Sequence, residues 1–123
     1  MNRSKFEEFI IDNYNCTYDY PWEQYPTFRV FRHSNNKKWF AVIMDIPKNK
    51  LGLKSNEIIS VVNLKCDSLL IGSLLLEDGF YPSYHMNKNN WISVALDLTA
   101  DDEKLKMLLD MSFDATSSRT KQH

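Results

Sequence analysis

The sequence predicts an α+β two-layer sandwich, in which one antiparallel sheet carries helices on one side. Two polar turns, at residues 34–37 and 87–90, separate stretches of strand-like alternation, and such hairpins imply antiparallel pairing. Three other stretches repeat apolar residues at helical spacing, and a sheet can cover the resulting stripes. The 123 residues include only three Gly and four Pro, as in one globular domain. The predicted order of elements is α-β-β-β-α-β-β-α.

The first half of the chain is predicted to form one helix and three strands. Ser4 and Glu7 have the spacing of a capping box, and the apolar residues that follow predict a helix over about residues 5–16. Two prolines with aromatic residues between them then predict an ordered loop, in which Trp22 is interpreted as a plug for the core. The predicted strands cover residues 27–33, 38–44 and 57–66, with a wide loop over residues 45–56.

The second half is predicted to add a helix, a hairpin and a last helix. Asp67 or Ser68 can cap the second helix, which runs to about residue 77, and Gly79 is placed to end it. The predicted hairpin pairs residues 80–86 with 91–97. Thr99 begins the third helix, whose buried stripe contains Leu105, Leu108, Leu109, Ser112 and Phe113. Residues 1–115 are therefore expected to form a single domain, followed by a polar, flexible tail over residues 116–123.

The charge of the chain is unevenly distributed. The 15 basic and 16 acidic residues give a formal charge of -1, which excludes a globally basic polymer binder. Residues 29–65 alone carry eight basic and two acidic side chains, or +6, whereas residues 97–115 carry two basic and six acidic side chains, or -4. A basic hairpin can bind phosphates, with Trp39 nearby to stack. Lysines on surface strands also keep a sheet edge from aggregating, so both interpretations remain open.

The ends and the cysteines indicate no targeting signal and no metal site. The first residues lack an apolar segment, and no stretch is long enough to span a membrane, so we expect a cytoplasmic protein without membrane contact. Cys16 and Cys66 lie far apart and have no CxxC or Cys/His spacing around them. No cofactor and no metal is therefore expected.

Several short motifs follow one another along the chain. They are Tyr20-Pro21-Trp22, Lys38-Trp39-Phe40-Ala41, Leu64-Lys65-Cys66, the block from Tyr81 to Val94, and Ser112-Phe113. In this order and spacing the set closely resembles the MmcQ/YjbR family, whose members are small proteins with a CyaY-like, double-wing α/β fold. The resemblance extends from Phe6 to Phe113. It departs from the family pattern at Phe113, where tyrosine is usual, and at Asp67-Ser68, where a proline commonly opens the helix.

The resemblance implies a non-enzymatic binding protein, because members of this family are usually described as predicted DNA-binding proteins. The wings would be the hairpins around residues 35–38 and 87–90. Our first hypothesis is therefore binding to the phosphate backbone of double-stranded DNA, a contact that positions a protein without reading base sequence. The residues expected to bind are Arg29, Arg32, Lys37, Lys38, Lys65 and Lys88.

Two alternatives come from other functional classes. The same architecture resembles adaptor modules that bind peptides or dimerise, with no role in nucleic-acid binding. A third hypothesis is a pocket beside the second hairpin, formed by Tyr84, His85, Asn87, Lys88, Trp91 and Ser112. In that pocket His85 could titrate near neutral pH and Lys88 could bind an anion. Tyr84 and Trp91 could equally anchor the hairpin to the core, and no nucleophile with a partner base is evident, so no enzyme is predicted.

Overall fold

The structure, a computed structural model, describes residues 1–117, which form one six-stranded sheet and three α-helices. In chain order the elements are α1 (Arg3–Asn13), β1 (Cys16–Asp19), β2 (Arg29–His33), β3 (Trp39–Pro47), a 3₁₀ turn (Lys48–Leu51), β4 (Ile58–Lys65), α2 (Ser68–Leu74), β5 (Phe80–Pro82), β6 (Trp91–Ala95) and α3 (Asp102–Thr116). The strands lie in the order β1-β2-β3-β4-β6-β5, and every neighbouring pair is antiparallel. The predicted fold class is confirmed.

The main difference from the prediction is an additional strand after the first helix. The helix begins after Asn2, whose side chain accepts a hydrogen bond from the backbone N–H of Lys5, so Ser4 is not the cap. It ends at Asn13, because Tyr14 already has an extended backbone. Cys16, predicted to end the helix, instead begins β1 opposite His33 on β2. The predicted loop therefore begins after β1 and not directly after the helix.

Other boundaries shift by a few residues. β3 continues to Pro47 and is followed by the 3₁₀ turn, whereas α2 stops at Leu74 and β5 covers only three residues. Gly79 does not end α2 but has a φ of 89°, and a Cβ there would lie 2.7 Å from the backbone nitrogen of Ala100. Only glycine accommodates both that conformation and that close approach.

One face of the sheet is closed by the three helices. Each helix contributes buried apolar residues to this core, and the predicted stripe of α3 is buried except for the half-buried Phe113. The sheet residues that meet them include Phe31, Phe40, Ile43, Val62, Leu64, Ile92 and Val94. We call this side the helix face. Within residues 1–117, no helix is long and apolar enough to cross a membrane.

The opposite side of the sheet, which we call the open face, carries a second apolar cluster. Its strand residues are Val30, Val42, Met44, Ile46, Ile59, Val61 and Ala95. No residue of the three described α-helices belongs to this cluster. Its cover comes instead from the connection between β1 and β2, residues 20–28, which contributes Phe28 and Trp22. We call this connection the aromatic loop.

The end of α3 is tied to the sheet. Thr116, assigned by prediction to the flexible tail, is helical and buried, and its hydroxyl lies 2.8 Å from Nε2 of His33. The hydroxyl also donates a hydrogen bond to the carbonyl of Ser112. The rest of the predicted tail, over residues 118–123, lies outside the described residues.

Candidate ligand pocket on the open face

A pocket of about 340 Å³ lies on the open face between the aromatic loop and the connection from β5 to β6. We call that connection, residues 83–90, the hairpin loop. The pocket is lined by Trp22, Tyr25, Phe28, Trp39, Val42, Met44, Asn63, His85 and Met86. Its size falls within the range of about 300–1,000 Å³ that is usual for small-ligand sites, and its walls are mainly apolar, as in such sites.

A β-bulge brings Trp39 to the pocket. Arg32 pairs with Trp39 and Phe31 pairs with Ala41, so Phe40 is an extra residue on β3. In a regular strand Trp39 and Ala41 would share a face, because side chains alternate. Here Ala41 packs on the helix face, whereas Trp39 packs with the open-face cluster. The bulge therefore turns Trp39 toward the pocket, a use of bulges that is common beside functional sites.

The aromatic loop forms one wall of the pocket. The ring of Trp22 is perpendicular to those of Phe28 and Trp39, with centroid distances of 6.1 Å and 5.6 Å. Tyr25 stacks on Phe28 at 4.7 Å. Two backbone hydrogen bonds, from Tyr25 to the Trp22 carbonyl and from Phe28 to the Tyr25 carbonyl, hold the loop in successive turns. These edge-to-face and stacked pairs stabilise the wall beyond the area that they bury.

A buried amide forms the polar part of the pocket. Asn63 on β4 is fully buried, and its Nδ2 donates a hydrogen bond of 2.7 Å to the carbonyl of Tyr84. Its Oδ1 accepts a short hydrogen bond from the hydroxyl of Ser93, which in turn accepts one from the backbone N–H of Tyr84. These bonds join β4, β6 and the hairpin loop. They use one N–H group and one acceptor position of the amide, although an amide offers two of each.

The mouth of the pocket carries a residue with unusual backbone geometry. His85 is exposed and has a φ of 65°, the left-handed region that non-glycine residues rarely adopt. Its ring lies 4.0 Å from the ring of Tyr84 and 6.4 Å from that of Tyr25, measured between centroids. Such a conformation is retained only where the surrounding structure holds it. At this position the left-handed conformation places the imidazole of His85 at the mouth of the pocket.

A cation also lies beside the pocket. The guanidinium carbon of Arg32 is 5.4 Å from the centroid of the Trp39 ring, a distance typical of a cation–π contact. Its Nε is 3.2 Å from Oδ1 of Asp19, a half-exposed carboxylate. Within the part of the chain that the structure describes, neither Nη group of Arg32 has a hydrogen-bond partner. These two groups are therefore available to an anion.

The six cations predicted to bind DNA do not share one surface. Arg29 lies on the helix face, where its guanidinium is 3.0 Å from Glu7 and packs over the Tyr18 ring at 4.3 Å. Arg32 lies on the open face, and Lys65 pairs with Trp91 at the end of β4. The lysines at positions 37 and 38 occupy the turn after β2. Lys88 donates a hydrogen bond from Nζ to the carbonyl of Ser83 on the hairpin loop.

The residues predicted to form a pocket beside the second hairpin also separate. His85 lines the open-face pocket, and Tyr84 packs against the open-face cluster. Ser112 does not approach them, because it lies on the helix face. There its hydroxyl donates to the carbonyl of Phe40 and accepts from the backbone N–H of Lys65. That part of the prediction is wrong, since Ser112 belongs to the buried stripe of α3 and closes the edge of that core.

Asn87 and Trp91 serve the hairpin itself. The side chain of Asn87 accepts a hydrogen bond from the backbone N–H of Asn89. Its carbonyl accepts bonds from the N–H groups of Asn90 and Trp91, which closes the turn. Trp91 is half-buried on β6 and is not among the residues that line the pocket.

Sequence reasoning missed part of the lining. Trp22 does pack against the open-face cluster, as its interpretation as a plug implies, but it also borders the cavity. Tyr25, Phe28 and Met86 reach the pocket from loops, so no local pattern indicates their role. Asn63 did offer a signal, because a polar residue among the apolar positions of a predicted core strand needs a buried hydrogen-bond partner.

Comparison with solved structures finds the same fold elsewhere. The crystal structure of a protein from Pseudomonas syringae is 41% identical and matches 95% of this chain and all of that chain, with a TM-score of 0.91. The crystal structure of protein DR2400 from Deinococcus radiodurans has a TM-score of 0.70 at 21% identity, over 99% of this chain and 81% of that one. The second likeness shows the fold alone.

Comparison of sequences identifies the family. The protein YyaQ of Bacillus subtilis, which is described as uncharacterized, is 35% identical over 116 residues, or 94% of this chain and 98% of YyaQ. The YjbR family model matches residues 12–115. The resemblance that the motifs indicated is thereby confirmed, and the chain belongs to the YjbR family.

Proposed function

We propose that this protein is a non-enzymatic binding protein whose ligand occupies the open-face pocket. One observation carries the proposal. Three motif blocks that lie far apart in the sequence each contribute a residue to the same cavity, namely Trp22, Trp39 and His85. Structural residues alone would be expected to disperse through the core, whereas convergence on a concave site with few polar groups is typical of ligand binding.

The chemistry of the lining favours binding over catalysis. Among the described residues 1–117, no carboxylate, thiol, aliphatic hydroxyl or lysine lines the pocket, and the titratable side chains in that lining are His85 and the phenol of Tyr25. Cys66 is buried on the helix face, and burial raises the pKa of its thiol, which keeps it protonated and unreactive. A lone imidazole without a nucleophile or an orienting partner is a weak basis for covalent or acid–base catalysis.

A fluorescent probe tests the pocket. The aromatic anion 1-anilinonaphthalene-8-sulfonate should bind the native protein saturably at one site, because its rings match the aromatic walls. Trp39→Ala should weaken this binding by about fivefold or more, since aromatic stacking contributes about 1–3 kcal/mol. Trp91→Ala is the matched control, because that tryptophan is on the same face but outside the lining, and should leave the affinity unchanged.

Two outcomes would contradict the proposal. One is equal binding by Trp39→Ala and the native protein, provided that far-UV circular dichroism shows the variant to be folded. The other is the absence of any saturable site on the native protein. Weakening by Trp91→Ala rather than Trp39→Ala would place the site elsewhere on the sheet, and this also counts against the open-face pocket.

Binding to duplex DNA is a second candidate function. The observation that favours it is that four of the six cations predicted to bind have no ion pair inside residues 1–117, namely Lys37, Lys38, Lys65 and Lys88. Arg29 contributes less, because it is paired with Glu7 on the helix face. Phosphate contacts of such lysines would give affinity that falls steeply with salt.

An anisotropy titration with a 20-base-pair duplex tests this candidate. We expect the double variant Lys37→Glu/Lys38→Glu to lose binding that the native protein shows at low salt. The control, Lys50→Glu/Lys54→Glu, makes the same charge change on exposed lysines of the loop after β3 and should lose less. No binding by the native protein at tens of micromolar removes the candidate.

A further inference from the structure

We infer that the ligand of the open-face pocket is a nucleotide unit, with its base between the aromatic walls and its phosphate at Arg32. This inference rests on the proposed function and names the chemical class that the site would take. Three features carry it: the aromatic walls of the pocket, a partly unused amide in its lining, and a cation that packs over one of the lining rings.

The walls favour a planar ring. Trp22 and Trp39 meet edge to face, Tyr25 stacks on Phe28, and all four of these aromatic residues line the cavity together with Met86. Aromatic side chains recognise unpaired bases mainly by stacking, which tolerates every base because each has a π-face. The cavity of about 340 Å³ suits one ring system rather than an extended cofactor.

The amide favours a ring with polar edges. Asn63 keeps one N–H group and one acceptor position without a partner in residues 1–117, although the residue is fully buried. Each polar atom of this amide already has one partner, and its remaining N–H group and acceptor position have no exposed surface, so a ligand uses them only if the wall of the pocket adjusts. A hydrocarbon ring has no group that can use them. A base presents donors and acceptors side by side along its edge, and the Asn amide is a common partner for such an edge.

The cation favours a negative group on the same ligand. Arg32 is not itself a lining residue, but its guanidinium packs over Trp39, which is one, so this cation lies next to the wall of the cavity. The guanidinium fork matches phosphate oxygens in pairs. Among residues 1–117 no carboxylate is part of the lining, although that of Asp19 pairs with this same guanidinium and offsets part of its charge. The carboxylate of Asp19 contacts Nε alone, so a phosphate could bind without displacing it. His85 adds a further ring nitrogen at the rim.

Two sources could supply this chemistry, namely a free nucleotide or an unpaired base within a single strand. A base inside a duplex is excluded, because it remains stacked and paired and cannot enter the pocket without being flipped. The same contacts serve both sources, and their relative affinities distinguish them.

Titration calorimetry combined with NMR of the three tryptophan indole N–H signals tests the inference. The probes are adenosine 5′-monophosphate, adenosine, inorganic phosphate, a five-residue oligodeoxyadenylate and a 20-base-pair duplex. We expect the monophosphate to shift the signals of Trp22 and Trp39 but not that of Trp91, and to bind more tightly than adenosine. Inorganic phosphate alone should not shift them.

Two variants make the test specific. Arg32→Gln should weaken binding of the monophosphate about tenfold, to the level of adenosine, and leave adenosine binding unchanged. Lys54→Gln is the control for loss of one exposed positive charge and should change neither affinity. Tighter binding of the oligonucleotide than of the monophosphate identifies a single strand as the source, and similar affinities identify the free nucleotide.

The nucleotide inference and the proposed pocket can fail independently of each other. If the anilinonaphthalene probe binds through Trp39 while no nucleotide binds at millimolar concentration, the inference fails and the pocket stands. Tighter binding of a tryptophan-containing peptide than of any nucleotide, or binding of the duplex alone, also refutes it. An affinity for the monophosphate that Arg32→Gln does not change refutes the placement of the phosphate.

Discussion

The helix face and the open face of the sheet are built from alternate residues of the same strands, yet they differ in how they are covered. Three helices close the helix face, and large side chains such as Phe6, Phe40 and Leu105 are completely buried there. The aromatic loop and the hairpin loop cover the open face only in part and leave a cavity that Trp22 and Trp39 help to line. Because side chains alternate along each strand, one sheet can separate a close-packed, stabilising side from a side that keeps room for a ligand.

The largest expected effect comes from two neighbouring residues of β3. Ile43 and Met44 are both almost completely buried but point to opposite faces. We expect Ile43→Ala to lower the free energy of unfolding by about 3–5 kcal/mol and Met44→Ala by about 2 kcal/mol. The difference arises because Met44 already borders a cavity and has fewer packing contacts to lose. Urea denaturation measures both values.

Substitutions at Ile43 and Met44 also test whether stability and ligand binding depend on different faces of the sheet. Met44→Ala should change the affinity for the anilinonaphthalene probe, because it enlarges the pocket. Ile43→Val, which deletes one methylene and should cost about 0.5–1.5 kcal/mol, keeps the protein folded and should leave the affinity unchanged. Equal destabilisation by the two alanine variants, or a change of probe affinity in Ile43→Val, would show that the faces are not independent.

The second prediction concerns pH and the helix face. His33 is 3% exposed and packs against Phe113 with ring centroids 4.1 Å apart. Burial, assisted by the charge of Lys38, lowers the pKa of His33 below its usual value of 6.5. The unfolded chain therefore binds a proton that the folded chain does not, and stability falls as the pH drops below about 6.5.

The free energy of unfolding that is lost through His33 cannot exceed about 1.4 kcal/mol per pH unit, and the loss stops below the pKa of His33 in the folded state. Urea midpoints between pH 7.5 and 5 measure it, with His33→Gln as the variant in which this dependence should disappear. Glutamine keeps a polar side chain that can hydrogen-bond to the hydroxyl of Thr116 in place of the imidazole. The variant therefore removes the titratable group while changing this hydrogen bond less. An identical pH dependence in both proteins would assign it to other groups.

Local periodicity predicted much of this architecture and little of the pocket. The stripe of α3 depends on spacing within one helix, so Leu105, Leu108 and Leu109 were placed correctly. β1 was missed because it is four residues long and its half-exposed and exposed side chains show no apolar alternation. Its identity depends on pairing with β2, which is a tertiary contact that a short sequence pattern does not indicate.

The pocket depends on features that the two-residue alternation of side chains along a strand does not predict. One extra residue, Phe40, reverses the face on which Trp39 lies, and bulges leave no reliable sequence signature. Trp22 reaches the site because the aromatic loop folds back over the open face, and the alternation of the strands carries no information on that path. The charge sum over residues 29–65 likewise did not show that Arg29 and Arg32 lie on opposite faces.

The smallest expected effect on stability concerns the rim of the open face. His85→Asn keeps a residue that tolerates the left-handed region, so the free energy of unfolding should change by less than about 1 kcal/mol. The variant removes the ring that packs against Tyr84 and Tyr25 at the mouth, and probe affinity should therefore fall. Titration with the anilinonaphthalene probe and urea denaturation together decide the matter. Because the backbone conformation is retained, a loss of affinity at unchanged stability assigns the imidazole to the ligand. A loss of stability at unchanged affinity would instead show that His85 only packs within the hairpin. The ligand would then be bound by residues deeper in the pocket, such as Trp39 and Asn63.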